Sequence, residues 1–440
     1  MTPRSRLLPL LATFVALALP FAAAQVGQAS ARAERSRTFE ALVEVFSRYY
    51  WDPGYRDWDE WADRYRERAL SAGSREAFDL VLSQMVRSLG DEHSVWLGRL
   101  SFAEGAELGA GDESRFGFQA RLLRGSGLVV ERVFPGSAAD EAGLRRGDLI
   151  VALDGRDLSG SLPTPLVWRL LASASQRQTA EFELLRGGVR LRLELTPMPF
   201  PVELARDMPQ GEMLAEHLGY IYLPSFNRMD VGERVHELVA QLKEEGMTSL
   251  ILDLRGNPGG RIGELGLTVG AFVEGNWARA TSRGEIVWEG RYAVQDGIGA
   301  VWLEDPHGRV LLRRFVREPA HFDGPVAVLV DSSNSSAGEL AALVLQEQGV
   351  ARVVGEPTGG NVEAVQSFDL PDGSIVMVAV ANLVSASGVD FSEGVTPDVQ
   401  AKNDLEELAR GYDAPLAQAV RLLRGLPFTP NRYFGGVAAR

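Results

Sequence analysis

The chain has 440 residues, 45% hydrophobic and 24% charged, which is a globular composition and length enough for about three domains. It has no cysteine, which excludes disulfides, thiol nucleophiles and cysteine-ligated zinc or iron–sulfur centres. A net charge of −14 argues against nucleic acid or an anionic membrane as the main partner.

Residues 1–24 read as a cleavable secretory signal. Arg4 and Arg6 precede an apolar run, Leu7–Leu19, and Ala22-Ala23-Ala24 offers a small-residue cleavage site. The run falls short of the roughly 20 apolar residues a membrane span needs, and Pro20 interrupts its end. The expected product is therefore periplasmic or secreted, has no membrane span, and carries −16 once Arg4 and Arg6 are lost.

Gln25–Arg35 is small and polar and reads as a linker. Over residues 36–100 the pattern is helical, with Phe39, Leu42, Val45 and Phe46 on one face and Trp58, Trp61, Tyr65, Phe78, Leu82 and Met85 continuing it. This N-terminal helical domain stops at Leu89-Gly90-Asp91-Glu92-His93-Ser94, and Glu104–Glu113 reads as a second linker.

Residues 112–197 change period. Short strands at Gly127–Arg132, Leu149–Leu153, Ala180–Leu185 and Val189–Leu195 are split by turns at Pro135-Gly136, Asp154-Gly155 and Gly187-Gly188. From about 200 to 413, strands and helices alternate. Gly219–Leu223, Ser249–Leu254, Val326–Val330 and Arg352–Val354 read as strands, and Val231–Glu245, Gly263–Val273 and Ala337–Glu347 as helices. Residues 414–440 are left as a C-terminal tail.

Two junctions could carry chemistry. At Val326–Glu339 an apolar strand runs through a Ser/Asn turn directly into a helix, which can set a serine hydroxyl beside the free amides of a helix's first turn. An ordinary Ser-rich N-cap has the same local pattern. At Ser249–Gly260 a buried strand ends in a Gly-rich turn whose amides could hold an anion or a developing oxyanion, although neither phosphate-loop spacing is met. Of the five histidines, His93 stands out, in a loop with Asp91 and Glu92 before it and Ser94 after it. The histidines are scattered and H-E-x-x-H is absent, so neither a metal site nor a cofactor is expected.

In this order the motifs resemble the C-terminal processing peptidases, the tail-specific serine proteases, and most of all their tricorn-type branch with the interphotoreceptor retinoid-binding proteins. Residues 112–197 are similar to a PDZ domain. Arg115-Phe116-Gly117-Phe118 stands at that domain's carboxylate-binding loop, and Pro135–Ala139 and Ala142–Ile150 match its turn and helix. Leu218–Ile221, Asp253–Gly260, Gly355–Gly360 and Gly394–Asp398 match the protease core.

The resemblance implies an α+β multidomain protein: an N-terminal helical domain, a PDZ-like β-rich domain, and an α/β serine protease core of the ClpP/crotonase type. It implies a serine endopeptidase that acts on polypeptides, docked through their C-termini. Ser336, three residues before Glu339, takes the nucleophile's place, and Ala337 with Gly259 or Gly260 that of the oxyanion donors. The position that the Ser–Lys branch gives to lysine is Asn361, and the chain's only lysines are Lys243 and Lys402, so a Ser–Lys dyad is not expected. His93 matches the histidine base of the tricorn-type branch, with Glu393 expected to orient it and Asp390 as the alternative. The retinoid-binding relatives leave a second expectation open, a non-catalytic ligand-binding protein on the same scaffold.

Overall fold

The computed structural model describes residues 10–52, 54, 56–91, 93–99, 116–123, 125–134, 136–159, 164–198, 208–360, 363–404, 407–408 and 412–424. It divides into two compact units, one of Met1–Ala106, Ser282–Gly284 and Glu363–Asn382, the other of Glu107–Thr281, Glu285–Val362 and Leu383–Arg440.

The smaller unit begins with α1 (Leu10–Tyr49), α2 (Trp58–Leu70) and α3 (Arg75–Arg87), followed by β1 (Val95–Gly98). α1 runs through Gln25–Arg35, so the expected linker is helical there; its Ala, Gln, Arg and Glu residues favour helix. The side chains of Asp57 and Ser74 cap α2 and α3 by accepting first-turn amides. The apolar stripe read from the sequence is the core: Phe39, Leu42, Phe46, Trp61, Phe78, Leu82 and Met85 are all buried. Part of this core comes from far along the chain, since Leu370, Val376, Val378 and Ala379 join the same cluster.

The larger unit opens with the PDZ-like sheet. β2 (Phe118–Leu123), β3 (Gly127–Val133), α4 (Ala138–Glu141), β4 (Leu149–Leu153), β5 (Arg156–Asp157), α5 (Thr164–Ser175), β6 (Ala180–Arg186) and β7 (Val189–Leu195) follow in turn. The sheet order is β2-β3-β4-β6-β7, with β5 beside β4, so among the described residues β2 is an edge strand.

The core sheet comes next. β8 (Gln210–Ala215) pairs antiparallel with β9 (Leu218–Tyr222), and after α6 (Val231–Glu244) comes β10 (Ser249–Asp253), parallel to β9. α7 (Ile262–Gly270) leads to a meander of β11 (Gly275–Ser282), β12 (Glu285–Gln295), β13 (Ile298–Glu304) and β14 (Val310–Val316). The chain then returns to the core sheet as β15 (Val326–Val330), α8 (Ala337–Glu347) and β16 (Ala351–Gly355). β17 (Glu363–Asp369) and the first part of β18 (Ile375–Ser385) form an antiparallel pair in the smaller unit, where β18 also pairs with β1.

β19 (Val399–Gln400) closes the core sheet in the order β19-β16-β15-β10-β9-β8, and α9 (Ala414–Arg424) packs on it. Residues of one pleat, Leu218, Ile251, Ala327, Leu329 and Val354, meet Ala419 and Val420 of α9, while the opposite pleat at Gly219 faces Leu242 and Met247. The expected tail from 414 is thus, through Arg424, a layer of the core: α9 is amphipathic and buries its small face on the sheet. β10 and β15 are parallel neighbours, so the turns leaving their carboxyl ends emerge side by side at one edge.

Candidate active site

β15 is buried at all five positions, and the chain leaves it through Asp331–Ser335 into α8. Ser336 is the N-cap of that helix, at φ 53° and ψ −123°. A residue with a Cβ is disfavoured there, at a cost of about 1–3 kcal/mol that the surrounding structure must offset. An ordinary serine N-cap is extended and unstrained. Ser336 and Glu339 form a capping box, as at many helix starts, and it is the positive φ that separates this turn from a routine cap and that a nucleophile elbow shares.

The restraint comes from buried polar groups. Glu339, fully buried in the first turn of α8, accepts the Ser336 amide on Oε2 at 2.9 Å; on Oε1 it accepts the Gly360 amide at 2.7 Å and the Thr358 hydroxyl. Asn334 donates its Nδ2 to the Leu254 carbonyl and accepts the Asp331 amide at 2.7 Å. Asn257 donates to the Leu223 carbonyl at 3.0 Å, and its own carbonyl accepts the Ser335 amide at 3.1 Å. Three buried side chains therefore lock together the serine turn, the Gly-rich turn after β10 and the Thr358–Gly360 turn.

The Gly-rich turn comes very close to the serine. A Cβ on Gly259 (φ +94°) would lie 2.8 Å from the Ser336 Cβ and 2.9 Å from the Ala337 nitrogen. Gly260 (φ +134°) leaves no room for one against the Phe226 backbone, at 2.4 Å. Of the three expected amide donors, that of Gly259 is committed to the Asn257 side chain at 2.8 Å. Among the described residues the amides of Ala337 and Gly260 make no hydrogen bond. Ser336, Ala337 and Gly259 lie together, and within the Gly-rich turn it is the amide of Gly260, not that of Gly259, that is uncommitted.

His93 lies in the smaller unit. Asp91 accepts the His93 amide at 3.0 Å and that of Ser94, and the Tyr50 hydroxyl donates to Asp91 at 3.1 Å. The Ser94 hydroxyl accepts the Ala379 amide of β18 at 3.1 Å, pinning the loop to that strand. The carboxylate at the ring belongs to Glu363, at the start of β17: its Oε2 is 3.1 Å from the His93 Nδ1, with both side chains 16% exposed. This is ion-pair distance without the alignment of a full hydrogen bond, because the Nδ1–H direction misses the oxygen.

Within the smaller unit the carboxylate beside the His93 ring is thus that of Glu363, an acid the sequence reading did not choose; the expected Glu393 and its alternative Asp390 belong to the larger unit. Phe391 and Val395 are buried and anchor their turn, which leaves Asp390 and Glu393 exposed, and Asp390 accepts the Ser392 amide instead. Sequence reading missed Glu363 because it lies outside every motif, at the first position of a largely polar strand.

The other expected residues fall as follows. Phe116 and Phe118 are wholly buried, edge-on to Phe182, so at this loop only the backbone, with Gly117, could meet a ligand; Arg115 and Asn361 lie outside the described residues. Lys243 donates to the His321 carbonyl at 2.7 Å and Lys402 pairs with Glu356 at 2.7 Å. Between the PDZ-like sheet and the core sheet, Arg146 reaches Asp413 at 2.8 Å, and Asp413 also holds Arg255 at 2.8 Å. Burial alone would raise the Asp413 carboxyl, but Arg146 and Arg255 outweigh it and hold the group far below the usual carboxylate range. Among the described residues no cluster of potential metal ligands occurs, and no helix is long and apolar enough to cross a membrane.

Comparison with known proteins agrees with this architecture. Peptidase family S41 matches residues 217–401, a PDZ domain residues 129–180 and the tricorn protease C1 domain residues 31–87. The chain is 29% identical over 353 residues to carboxyl-terminal-processing peptidase 2 of Arabidopsis thaliana chloroplasts, covering 76% of this chain and 63% of that one. It is 26% identical over 328 residues to the carboxy-terminal processing protease CtpA of Bacillus subtilis, covering 74% and 64%. It thus spans a little under two-thirds of these relatives' lengths.

Two solved structures share the fold. The photosystem II D1 C-terminal processing protease has a TM-score of 0.51 at 23% identity, covering 86% of this chain and 97% of that one. An S41 protease from Bacteroides fragilis has a TM-score of 0.60 at 17% identity, covering 87% and 97%. The three matched segments follow one another in sequence order, a tricorn C1 segment and a PDZ segment ahead of a core that matches peptidase family S41.

Proposed function

We propose that this chain is a serine endopeptidase acting outside the cytoplasm. Ser336 attacks the scissile carbonyl, and His93 takes the hydroxyl proton and delivers it to the leaving amine. Glu363 holds the Nδ1 side of the ring and stabilises its charged form. The amides of Ala337 and Gly260 hold the oxyanion, where loss of one such donor commonly costs about 100–1,000-fold in rate. No metal or cofactor enters this scheme.

The observation that carries the reading is the strained Ser336, held by Glu339 next to the uncommitted amide of Ala337 and against the Gly259–Gly260 turn. A structural turn has no need of such an arrangement. The edge position of β2 supports docking of a substrate C-terminus as an added strand, with the loop amides at Phe116–Phe118 receiving its carboxylate. The apolar run after Arg4 and Arg6 supports export by a cleaved signal.

Fluorophosphonate labelling of the wild type and of Ser336→Ala tests the nucleophile, and digestion of casein by His93→Ala tests the base. The expected results are label on the wild type alone and loss of proteolysis in the histidine variant. Equal labelling of both proteins, or undiminished digestion without His93, removes the assignment in favour of a ligand-binding protein on a hydrolase frame.

A further inference from the structure

The run Arg309-Val310-Leu311-Leu312-Arg313-Arg314-Phe315-Val316-Arg317 holds four arginines and no acid, in a chain of net charge −14. Its residues Val310–Val316 form β14, with Arg309 and Arg317 flanking it; β14 is the last strand of its sheet, so among the described residues no strand pairs with its outer side. Alternation splits its side chains between two faces. Leu312 and Arg314 turn toward α7, where Arg314 meets the buried Glu264 at 2.9 Å, and the other oxygen of Glu264 accepts the Gly232 amide at 3.0 Å. Phe315 is 56% exposed and Leu311 45%.

Arg313 and Arg317 are exposed, and among the described residues neither has a carboxylate at ion-pair distance. A groove of about 550 Å³ opens here, lined by Glu233, Arg313, Arg314, Phe315 and Arg317. Charges on an edge strand commonly serve only to prevent aggregation. Here the charge on the strand itself is of one sign and flanks an exposed aromatic ring beside a concavity in which four of the five lining residues come from this run and Glu233 is the acid, which repels a like strand and admits an oppositely charged one.

We propose that the β14 edge docks an extended, acidic polypeptide segment that adds as a strand to β14. Its main chain takes up the unpaired amides and carbonyls of the edge, and two of its carboxylates meet Arg313 and Arg317. These arginines are four residues apart, about 13 Å along an extended chain, with Phe315 midway. The ligand should therefore carry acids four residues apart with an apolar residue between them. A second copy of this strand fits poorly, since edge-to-edge pairing sets arginines near arginines. An anionic bilayer is flat and cannot enter a groove. The site stands whether or not Ser336 is a nucleophile.

The test uses the full chain carrying Ser336→Ala, so that the probe survives, and a fluorescein-labelled peptide of Glu-Val-Tyr-Val-Glu repeats with both ends blocked. Blocked ends remove carboxylate capture by the PDZ-like domain as a source of binding. Fluorescence anisotropy at low salt should show saturable binding. Binding should weaken at least tenfold with Arg313→Glu/Arg317→Glu, with lysine in place of glutamate in the peptide, and with N-methylation of alternate peptide amides. Absence of saturable binding, or indifference to the double substitution or to N-methylation, overturns the proposal. So does sedimentation with phosphatidylglycerol vesicles that the double substitution abolishes while the peptide fails to bind. An oligomer of the unliganded chain dispersed by the same substitutions assigns the edge to a second copy and likewise overturns it.

Discussion

Around Ser336 nearly every polar neighbour is committed: Glu339, Asn334 and Asn257 are buried and each spans two chain segments. Around His93 the loop is held by Asp91, Tyr50 and Ser94, and the ring itself leans on one partly exposed carboxylate, with imperfect alignment. The first region stores strain and must be rigid to keep it. The second only has to present a ring that gains and loses a proton, and a looser hold suits a group whose hydrogen bonds tighten as charge develops. One region is therefore sensitive to substitution through its geometry, the other through its charge.

The largest effect that separates these two designs is expected at Glu363. Glu363→Gln keeps the shape and removes the charge that stabilises the imidazolium, so kcat should fall by about 100–10,000-fold with little change in KM. Glu393→Gln and Asp390→Asn should stay within about twofold of the wild type, because both acids face solvent. Steady-state kinetics on a quenched peptide decides the matter. A collapse at Glu393 with an active Glu363→Gln would return the orienting role to the later acid.

A smaller loss, of a different kind, is expected at Glu339. Glu339→Ala leaves the amides of Ser336 and Gly360 and the Thr358 hydroxyl without their buried acceptor, at about 1–3 kcal/mol for each unsatisfied group. The melting temperature should fall together with kcat and with the rate of fluorophosphonate labelling. Glu363→Gln should lower kcat with the melting temperature nearly unchanged. If Glu339→Ala labels at the wild-type rate, the strained turn does not depend on this carboxylate.

Legibility in the sequence followed the same divide. The serine turn could be read because strand, turn and helix are contiguous: Val326–Val330 and Ala337–Glu347 fall where the apolar run and the helical period place them. Leu149–Leu153 and Val189–Leu195 were equally plain, each bounded by glycine turns. The His93–Glu363 pair joins residues far apart in sequence across a β1–β18–β17 arrangement, and no local periodicity reports such pairing. The meander β11–β14 also escaped notice, although Asp296-Gly297 is a hairpin signal and Gly299, Val301 and Leu303 alternate inward. Its outward faces carry Arg and Glu, which break up any apolar run over that stretch. The strain at Ser336 has no sequence signature, since it arises from the three turns packed around it.

The smallest effect concerns His236, wholly buried in α6. Its Nδ1 accepts the Ala320 amide at 3.0 Å and its Nε2 lies 3.0 Å from the Leu267 carbonyl, a pattern that satisfies a neutral ring protonated on Nε2. The ring stacks on Tyr292, and His321 is a nearby like-charged group. Burial pushes the imidazole below its ordinary value, and the two carbonyls, of Leu267 and Ala320, offset only part of that push. The unfolded chain then binds this proton more readily than the folded one. The stabilising contribution is complete above the unfolded value of about 6.5 and is lost as pH falls from there through the folded value. In urea titrations between pH 7.5 and 5, His236→Gln should lose less stability on acidification than the wild type. The difference approaches at most about 1.4 kcal/mol for each pH unit, one proton's worth. His93, His217 and His307 are present in both proteins and cancel in that comparison, whereas His321 interacts with His236 and is removed from it by making both proteins on a His321→Gln background. Parallel stability curves would mean that this ring takes up its proton as readily folded as unfolded.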